Sequence, residues 1–290
     1  MHLKLIYNPA AGRGRARRHI AEAERLLRAR GASVELAESA SPADLTRLAA
    51  ESSRDAAFDR VVVCGGDGTL NLAVRGFDLA RGTLALLPMG SGDDFASVIG
   101  MPKKLADACD VIAGSSIREV DVALANGIRY LGVAGLGFDS EVAKFANEEV
   151  KLLRGSAIYF YATLRVLPRF VPHRVRLDGR DEEIMFAVVG NSRQYGGGVR
   201  IAPHAKIDDG LLDLCLIRRT TRLKLLQTFP KAYSGAHIDS PFVECGRAAS
   251  YSFTSERLME VYADGERLTT TPVTFALAAE KLRIVAPAAR

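Results

Sequence analysis

Apolar and polar positions alternate with two different periods along the first third of the chain. Short β-branched runs predict strands, and apolar residues three or four positions apart predict helices. The predicted strands are Leu3–Asn8, Ser33–Ala37, Arg60–Cys64 and Thr83–Pro88, and the predicted helices are Ala16–Ala29, Pro42–Ser52, Asn71–Phe77 and Asp93–Val98. This order predicts an α/β domain whose parallel sheet is covered on both faces and binds ligands at the carboxyl ends of its strands.

The pattern changes near Arg118 to short strands separated by turns, which predicts a mainly antiparallel, sandwich-like domain. Its predicted strands are Glu119–Leu124, Arg129–Ala134, Arg174–Leu177, Ile184–Asn191, Leu211–Ile217, Glu244–Phe253, Leu258–Tyr262 and Pro272–Leu277. One helix is expected over Val142–Leu167, with Tyr159, Phe160 and Leu164 interpreted as core residues. We therefore place the domains at residues 1–118 and 119–290, with Leu282–Val285 able to return to the first.

The composition is that of an ordered soluble protein, with 48% hydrophobic and 25% charged residues among 290. The net charge is +5, and arginines are concentrated between Arg13 and Arg30. Such a cluster suits an anionic partner, although it also suits the solvated face of a helix. No zinc-finger, helix-turn-helix or RNP-type pattern accompanies the charge, so a nucleic-acid partner is not expected.

The four cysteines, at positions 64, 109, 215 and 245, are far apart and form no CxxC pair. The histidines show no metal-ligand spacing either, so a structural zinc site is not expected. The apolar stretch Ala157–Pro168 is too short to span a bilayer, which needs roughly 20 residues. The N-terminal residues read as a strand rather than a signal peptide, and we expect a cytoplasmic protein.

The segment from Cys64 to Asn71 follows an apolar strand and combines Gly65, Gly66, Asp67 and Gly68 with Thr69. Glycines allow a sharp turn and a close approach of backbone N–H groups to a ligand, and the start of a helix favours an anion. A plain Asp-Gly turn between two strands is the alternative. The strand–turn–helix context favours a nucleotide-phosphate site.

Seven such segments in order resemble the diacylglycerol kinase and sphingosine kinase family of lipid kinases in its compact bacterial form. They cover nearly the whole chain and comprise Asn8–Gly12, Gly65–Asn71, Pro88–Ala96, Gly135–Asp139, Gly196–Gly198, Ala202–Asp213 and Asp264–Glu266. The resemblance implies a nucleotide-binding kinase domain of NAD kinase/diacylglycerol kinase type, followed by a β-sandwich domain for the lipid substrate.

The resemblance also implies the roles of individual residues in an ATP-dependent transfer to a lipid hydroxyl. ATP would be surrounded by Asn8, Pro9, Gly12, Gly65, Gly66, Asp67, Gly68, Thr69, Asn71, Gly90 and Ser91. Mg²⁺ would lie near Asp209 and the backbone carbonyls of Lys206 and Leu211. Asp67, together with the general base on the Asp264–Glu266 turn, would complete the catalytic set. Ordinary turns are the alternative at Asp209 and at Asp264-Gly265.

The chain departs from the family pattern at several positions. Leu72 replaces a glutamate, Asp93 an asparagine, Ser91 a threonine and Gly132 an asparagine, and Ala37 stands where a threonine is common. The change at Leu72 removes a carboxylate near the triphosphate, and the change at Asp93 adds one. These changes bear on catalytic rate and metal preference but do not alter the expected fold.

The leading hypothesis is thus an ATP-dependent lipid kinase that acts on diacylglycerol or a related lipid. It would bind an anionic membrane surface peripherally, and a homodimer is left open. The alternatives are an NAD kinase-like enzyme, which shares the GGDGT motif, and a catalytically weak nucleotide- or lipid-binding regulator, which the missing glutamate would suit.

Overall fold

The computed structural model describes residues 1–149 and 156–288, which form two compact units. The first unit comprises Met1–Val122 and the C-terminal segment from Ala279, and the second comprises Ala123–Ala278. The first unit extends beyond the expected boundary at residue 118, because the strand Ile117–Val120 joins its sheet.

The first unit is a six-stranded sheet with helices, as the alternating pattern predicted. Its strands are β1 (His2–Tyr7), β2 (Ser33–Glu38), β3 (Arg60–Gly65), β4 (Thr83–Pro88), β5 (Ile117–Val120) and β17 (Leu282–Val285). Its helices are α1 (Ala11–Arg28), α2 (Pro42–Arg54), α3 (Asp67–Gly76), α4 (Asp94–Val98) and α5 (Leu105–Ala113). The sheet order is β2-β1-β3-β4-β17-β5, and every pairing is parallel except that of β17 with β5.

Buried apolar side chains explain this arrangement. All six residues of β3 and of β4 are buried, as expected for central strands that are covered on both faces.

Helix α2 begins at a side-chain cap, because Ser41 Oγ accepts a hydrogen bond from the Asp44 amide (3.1 Å). Helix α5 was not predicted, although its buried residues Ala108, Cys109 and Ile112 have helical spacing.

The second unit contains an eleven-stranded antiparallel sheet that folds over itself. Its strands are β6 (Ala123–Ala125), β7 (Ile128–Tyr130), β8 (Val133–Gly137), β9 (His173–Leu177), β10 (Arg180–Gly190), β11 (Leu212–Arg218), β12 (Val243–Ala248), β13 (Tyr251–Ser255), β14 (Glu260–Ala263), β15 (Glu266–Thr270) and β16 (Val273–Leu277). The long strand β10 pairs with β9 through its first half and with β8 and β11 through its second half, with an irregularity between Ile184 and Phe186. The predicted α/β plus β-sandwich class is confirmed.

Two apolar cores stabilise the second unit. One lies inside the folded sheet and includes Tyr130, Phe253 and Phe275, whose rings pack edge to face. The other packs the sheet against helices α6 (Phe138–Glu149), α7 (Ser156–Val166) and α8 (Arg222–Thr228) and the 3₁₀ helix Phe229–Tyr233. A second 3₁₀ helix, Ala236–Asp239, follows in the chain.

The helix and core predictions differ from the structure in this unit. The expected single helix Val142–Leu167 is described as α6 and α7, and residues 150–155 lie outside the described range. The expected core residues Phe160 and Leu164 are 50% and 42% exposed. Among the described helices, none is long and apolar enough to cross a membrane.

Candidate active site

Three glycine turns meet at the carboxyl ends of parallel strands in the first unit. Gly12 follows β1, Gly66 follows β3 and Gly90 follows β4. A Cβ on Gly90 would lie 2.5 Å from the Gly66 Cα, and a Cβ on Gly12, whose φ is +56°, would lie 2.1 Å from the Met89 carbonyl oxygen. Only glycine allows these approaches, so backbone surfaces rather than side chains form the junction.

The Asp67 carboxylate joins two of these turns. Its Oδ1 and Oδ2 accept hydrogen bonds from the amides of Phe95 (2.9 Å) and Asp94 (3.1 Å), which are the first residues of α4. The N-terminal amides of α4 therefore bind a side chain from a different turn, since Asp93 provides no side-chain cap. Burial is the largest influence on this carboxyl group and raises the pKa of Asp67.

The resemblance places Asp67 around ATP and in the catalytic set, and the structure adds a positioning role for its side chain. In the structure both oxygens bind backbone amides, so the residue positions the 88–96 turn. Its catalytic role stays a prediction. No local pattern predicts these bonds, because the partners are 27 and 28 residues away.

Asp93 adds a second carboxyl group beside the glycine turns. Its backbone is left-handed, with φ 54°, and its Oδ1 accepts a hydrogen bond from the Gly90 amide (2.9 Å). Burial, reinforced by the charge of Asp67, raises the pKa of Asp93 to about 6, while Arg15 opposes the shift. Arg15, which belongs to the arginine cluster between Arg13 and Arg30, donates to the Gly90 carbonyl (3.4 Å).

The other residues expected around ATP occupy different environments. Thr69 and Asn71 lie in the first turns of α3 and are buried, at 7% and 1% exposure, so they act within the fold. Asn8 Oδ1 accepts a hydrogen bond from the Ala10 amide (2.9 Å) and shapes the turn that follows β1. Ser91 is exposed on the 88–96 turn. Pro9 lies between β1 and α1, Gly65 is the last residue of β3, and Gly68 is the second residue of α3.

Asp264 lies at the tip of the β14–β15 hairpin in the second unit. Its φ of 47° and that of Gly265 (86°) make a tight turn. Asp264 Oδ2 and Oδ1 accept hydrogen bonds from the amides of Gly132 (3.1 Å) and Val133 (3.1 Å). A Cβ on Gly132 would lie 2.1 Å from Oδ1, so the close approach of this carboxylate requires glycine at position 132.

Glu266 begins β15 and is exposed. The general base on this turn stays a prediction, and Asp264 is the carboxylate that the printed hydrogen bonds orient. A carboxylate is a suitable acceptor for the proton of a hydroxyl group.

The residues expected to hold Mg²⁺ do not offer it an open carboxylate. Asp209 Oδ1 accepts a hydrogen bond from the Leu211 amide (3.1 Å), and Oδ2 is paired with the guanidinium of Arg247. The same guanidinium lies 3.4 Å from Asp213 Oδ1. Lys206 is exposed, and among residues 1–149 and 156–288 no group of three or more His, Cys, Asp or Glu side chains could hold a metal ion.

The second unit also contains an apolar cavity that the sequence analysis did not anticipate. Apolar side chains of α6, β10, β11 and α8 line it, including Phe138, Phe186 and Leu225. Asp139 is one of its few polar lining residues and accepts a hydrogen bond from the hydroxyl of Tyr195. Burial raises the pKa of Asp139 from 3.8 to about 6. Such a cavity suits an apolar ligand group.

Comparisons with known proteins match this architecture along the chain. The diacylglycerol kinase catalytic domain matches residues 2–125, and the YegS C-terminal NAD kinase beta sandwich-like domain matches residues 132–286. The diacylglycerol kinase of Mycobacterium tuberculosis is 32% identical over 293 residues, which cover 97% of this chain and 94% of the relative. This chain belongs to the diacylglycerol kinase-type lipid kinase family.

Other relatives give the same result. The Bacillus subtilis diacylglycerol kinase is 26% identical over 98% of this chain and 96% of its own. A crystal structure of a putative diacylglycerol kinase from Bacillus anthracis superposes with a TM-score of 0.84, at 28% identity, over 99% of this chain and 95% of the other. The resemblance drawn from the seven sequence segments is therefore confirmed, and the protein is a kinase of the lipid kinase type.

Proposed function

We propose that this lipid kinase transfers the γ-phosphate of ATP to the hydroxyl group of diacylglycerol or a related lipid. The observation that carries the donor assignment is the junction of the three glycine turns. The close approach of the glycine backbones and the N-terminus of α3 suit the phosphates of a nucleotide, which would enter as its magnesium complex and so bring its own cation. The transfer would therefore need no additional Mg²⁺ bound at Asp209.

Asp264 is the proposed general base. Its carboxylate is fixed by two backbone amides, so it can orient an acceptor hydroxyl without first reorganising. As the hydroxyl oxygen bonds to the γ-phosphorus, its proton would move to Asp264 and ADP would leave. Backbone amides and the metal of the nucleotide complex would stabilise the charge that develops on the transferring group.

Two features of the second unit support a lipid acceptor. The apolar cavity offers a dry surface to an acyl chain. Helix α7 exposes Phe160 and Leu164, which are four residues apart and so lie on one face, and Arg165 is next in sequence. Exposed apolar side chains beside cationic ones are typical of segments that bind anionic bilayers peripherally.

The proposal is tested by measuring ADP release with ATP and magnesium present. We expect release to rise when diacylglycerol in mixed micelles is added and to stay at background with NAD. A rise with NAD alone would instead identify the NAD kinase-like alternative. Nucleotide binding without ADP release on either addition would favour the regulator alternative, which rests on Leu72.

A further inference from the structure

Two cysteines that are distant in sequence lie directly opposite each other on neighbouring strands. Cys215 of β11 pairs in register with Cys245 of β12, two positions along from the pair Asp213 and Arg247. Directly opposite residues of an antiparallel pair have Cα atoms about 4.5 or 5.5 Å apart, and their side chains point to the same face. Both separations fall in the range that a disulfide bond spans, about 4.4–6.8 Å between Cα atoms.

The two thiols differ in their environments. Cys245 is exposed, on a strand that pairs within the described residues with β11 alone, whereas Cys215 is buried. The side chain of Cys215 interacts with Cys245, and this interaction lowers the pKa of the Cys245 thiol. The exposed sulfur is therefore the one that meets an oxidant first, since reactivity follows exposure and thiolate character.

His237 covers the buried thiol but does not act as its base. Its Nε2 lies 3.7 Å from Cys215 Sγ and 3.1 Å from the carbonyl oxygen of Ile201. A carbonyl oxygen can only accept a hydrogen bond, so Nε2 carries the proton. Burial also lowers the pKa of His237, which keeps the ring neutral. The imidazole thus leaves Cys215 as a protonated thiol, which can react only after Cys245 has been oxidised.

We propose that Cys215 and Cys245 are an oxidation site at which a peroxide forms a reversible disulfide bond. The Cys245 thiolate attacks one peroxide oxygen and the O–O bond breaks, which gives a sulfenic acid and hydroxide. The hydroxide takes up the proton that the thiol released, and the first water forms. The sulfur of Cys215 then attacks the sulfenic sulfur, the S–O bond breaks, and water leaves with the thiol proton. The two thiols are oxidised, one peroxide is reduced, and two water molecules are released.

The bond would anchor an edge strand that is otherwise held by one neighbour. Strand β12 carries Arg247, which pairs with Asp209 and Asp213, so a covalent link to β11 also fixes this ionic cluster. The residues enclosed by the link include α8 and both 3₁₀ helices. Closing a loop of this size restricts the unfolded chain, and the oxidised protein should be more stable.

The test uses the full chain, reduced, freed of reductant and treated with hydrogen peroxide. Remaining thiols are blocked with a maleimide under denaturing conditions, and the intact mass is measured. We expect a monomer in which oxidation has removed the mass of two hydrogen atoms and in which maleimide does not modify Cys215 or Cys245. Dithiothreitol should restore both free thiols. The melting temperature should rise by about 5 °C or more on oxidation.

Two variants make the result specific. Cys64→Ala removes a buried thiol of the first unit and should leave the mass loss and the melting shift unchanged, whereas Cys245→Ser should abolish both. Oxidation of Cys245 to a sulfinic acid while Cys215 remains open to maleimide would overturn the proposal. So would a dimer linked through Cys245, because the partner thiol would then lie in another molecule.

Discussion

The hydrogen bonds from Asp67 to the start of α4 make the effect of removing this carboxylate specific. Two amides, 2.9 and 3.1 Å from its oxygens, lose their acceptor in Asp67→Ala. Bonds to a charged acceptor contribute about 1.5–3 kcal/mol each, but desolvation of the carboxylate, seen in its raised pKa, offsets part of this. We expect the free energy of unfolding to fall by about 2 kcal/mol, and by about half that in Asp67→Asn, which keeps one acceptor oxygen.

The same variant should also weaken nucleotide binding, because the 88–96 turn is no longer held against the β3–α3 turn. We expect KM for ATP to rise by at least about tenfold, which corresponds to about 1.4 kcal/mol, in addition to a loss of kcat. Urea denaturation followed by circular dichroism gives the stability, and steady-state kinetics with varied ATP gives KM.

Ser41→Ala is the matched control for this prediction. It removes the cap of α2, a bond of similar length in the same unit, and should cost about 1 kcal/mol without changing KM for ATP. If Asp67→Asn had wild-type stability and a wild-type KM but no turnover, the side chain would instead contact only the reacting phosphate. The role of Asp67 in holding the 88–96 turn against the β3–α3 turn would then be refuted.

Three further predictions concern the second unit. Asp264→Asn should lower kcat by at least about 100-fold with little change in KM for ATP. Glu266→Gln, at an exposed site, should keep most of the activity. If both variants were as active as wild type, Asp264 would be refuted as the base. Because the pKa of Asp139 is raised, its protonated form stabilises the fold below about pH 4, and this contribution is lost as the pH rises through about 6. Between those limits the free energy of unfolding of wild type should fall by at most about 3 kcal/mol relative to Asp139→Asn, as measured by urea denaturation. Parallel pH profiles for the two proteins would contradict this. Binding to anionic vesicles should weaken when the salt concentration rises from low to physiological. It should also weaken in Phe160→Ser but not in the control Leu258→Ser, whose side chain is 78% exposed. Sedimentation with vesicles that does not change with salt or lipid charge would exclude electrostatic attachment.

The fold could be predicted largely from the sequence because periodicity reports burial directly. Strands β3 and β4 are continuous apolar runs, and both are buried at every position. The prediction was wrong where a turn interrupts a segment interpreted as one strand: the expected strand Glu244–Phe253 is divided into β12 and β13.

The candidate site was predicted less completely, because its geometry depends on contacts between distant turns. The glycines could be recognised as a phosphate-binding pattern, but the contact of Gly66 with Gly90 depends on the pairing of β3 with β4. The pairing of Arg247 with Asp209 was equally invisible, since 38 residues separate them. Local spacing carries no information about such partners.

Transfer of the γ-phosphate itself tests the central claim most directly. Purified protein is incubated with γ-labelled ATP, magnesium and diacylglycerol dispersed in anionic mixed micelles, and the lipids are extracted and separated. We expect label in a phosphorylated lipid for wild type and at least about 100-fold less for Asp264→Asn. Label that stays entirely in the aqueous phase, with diacylglycerol and with a fractionated lipid extract alike, would contradict the account.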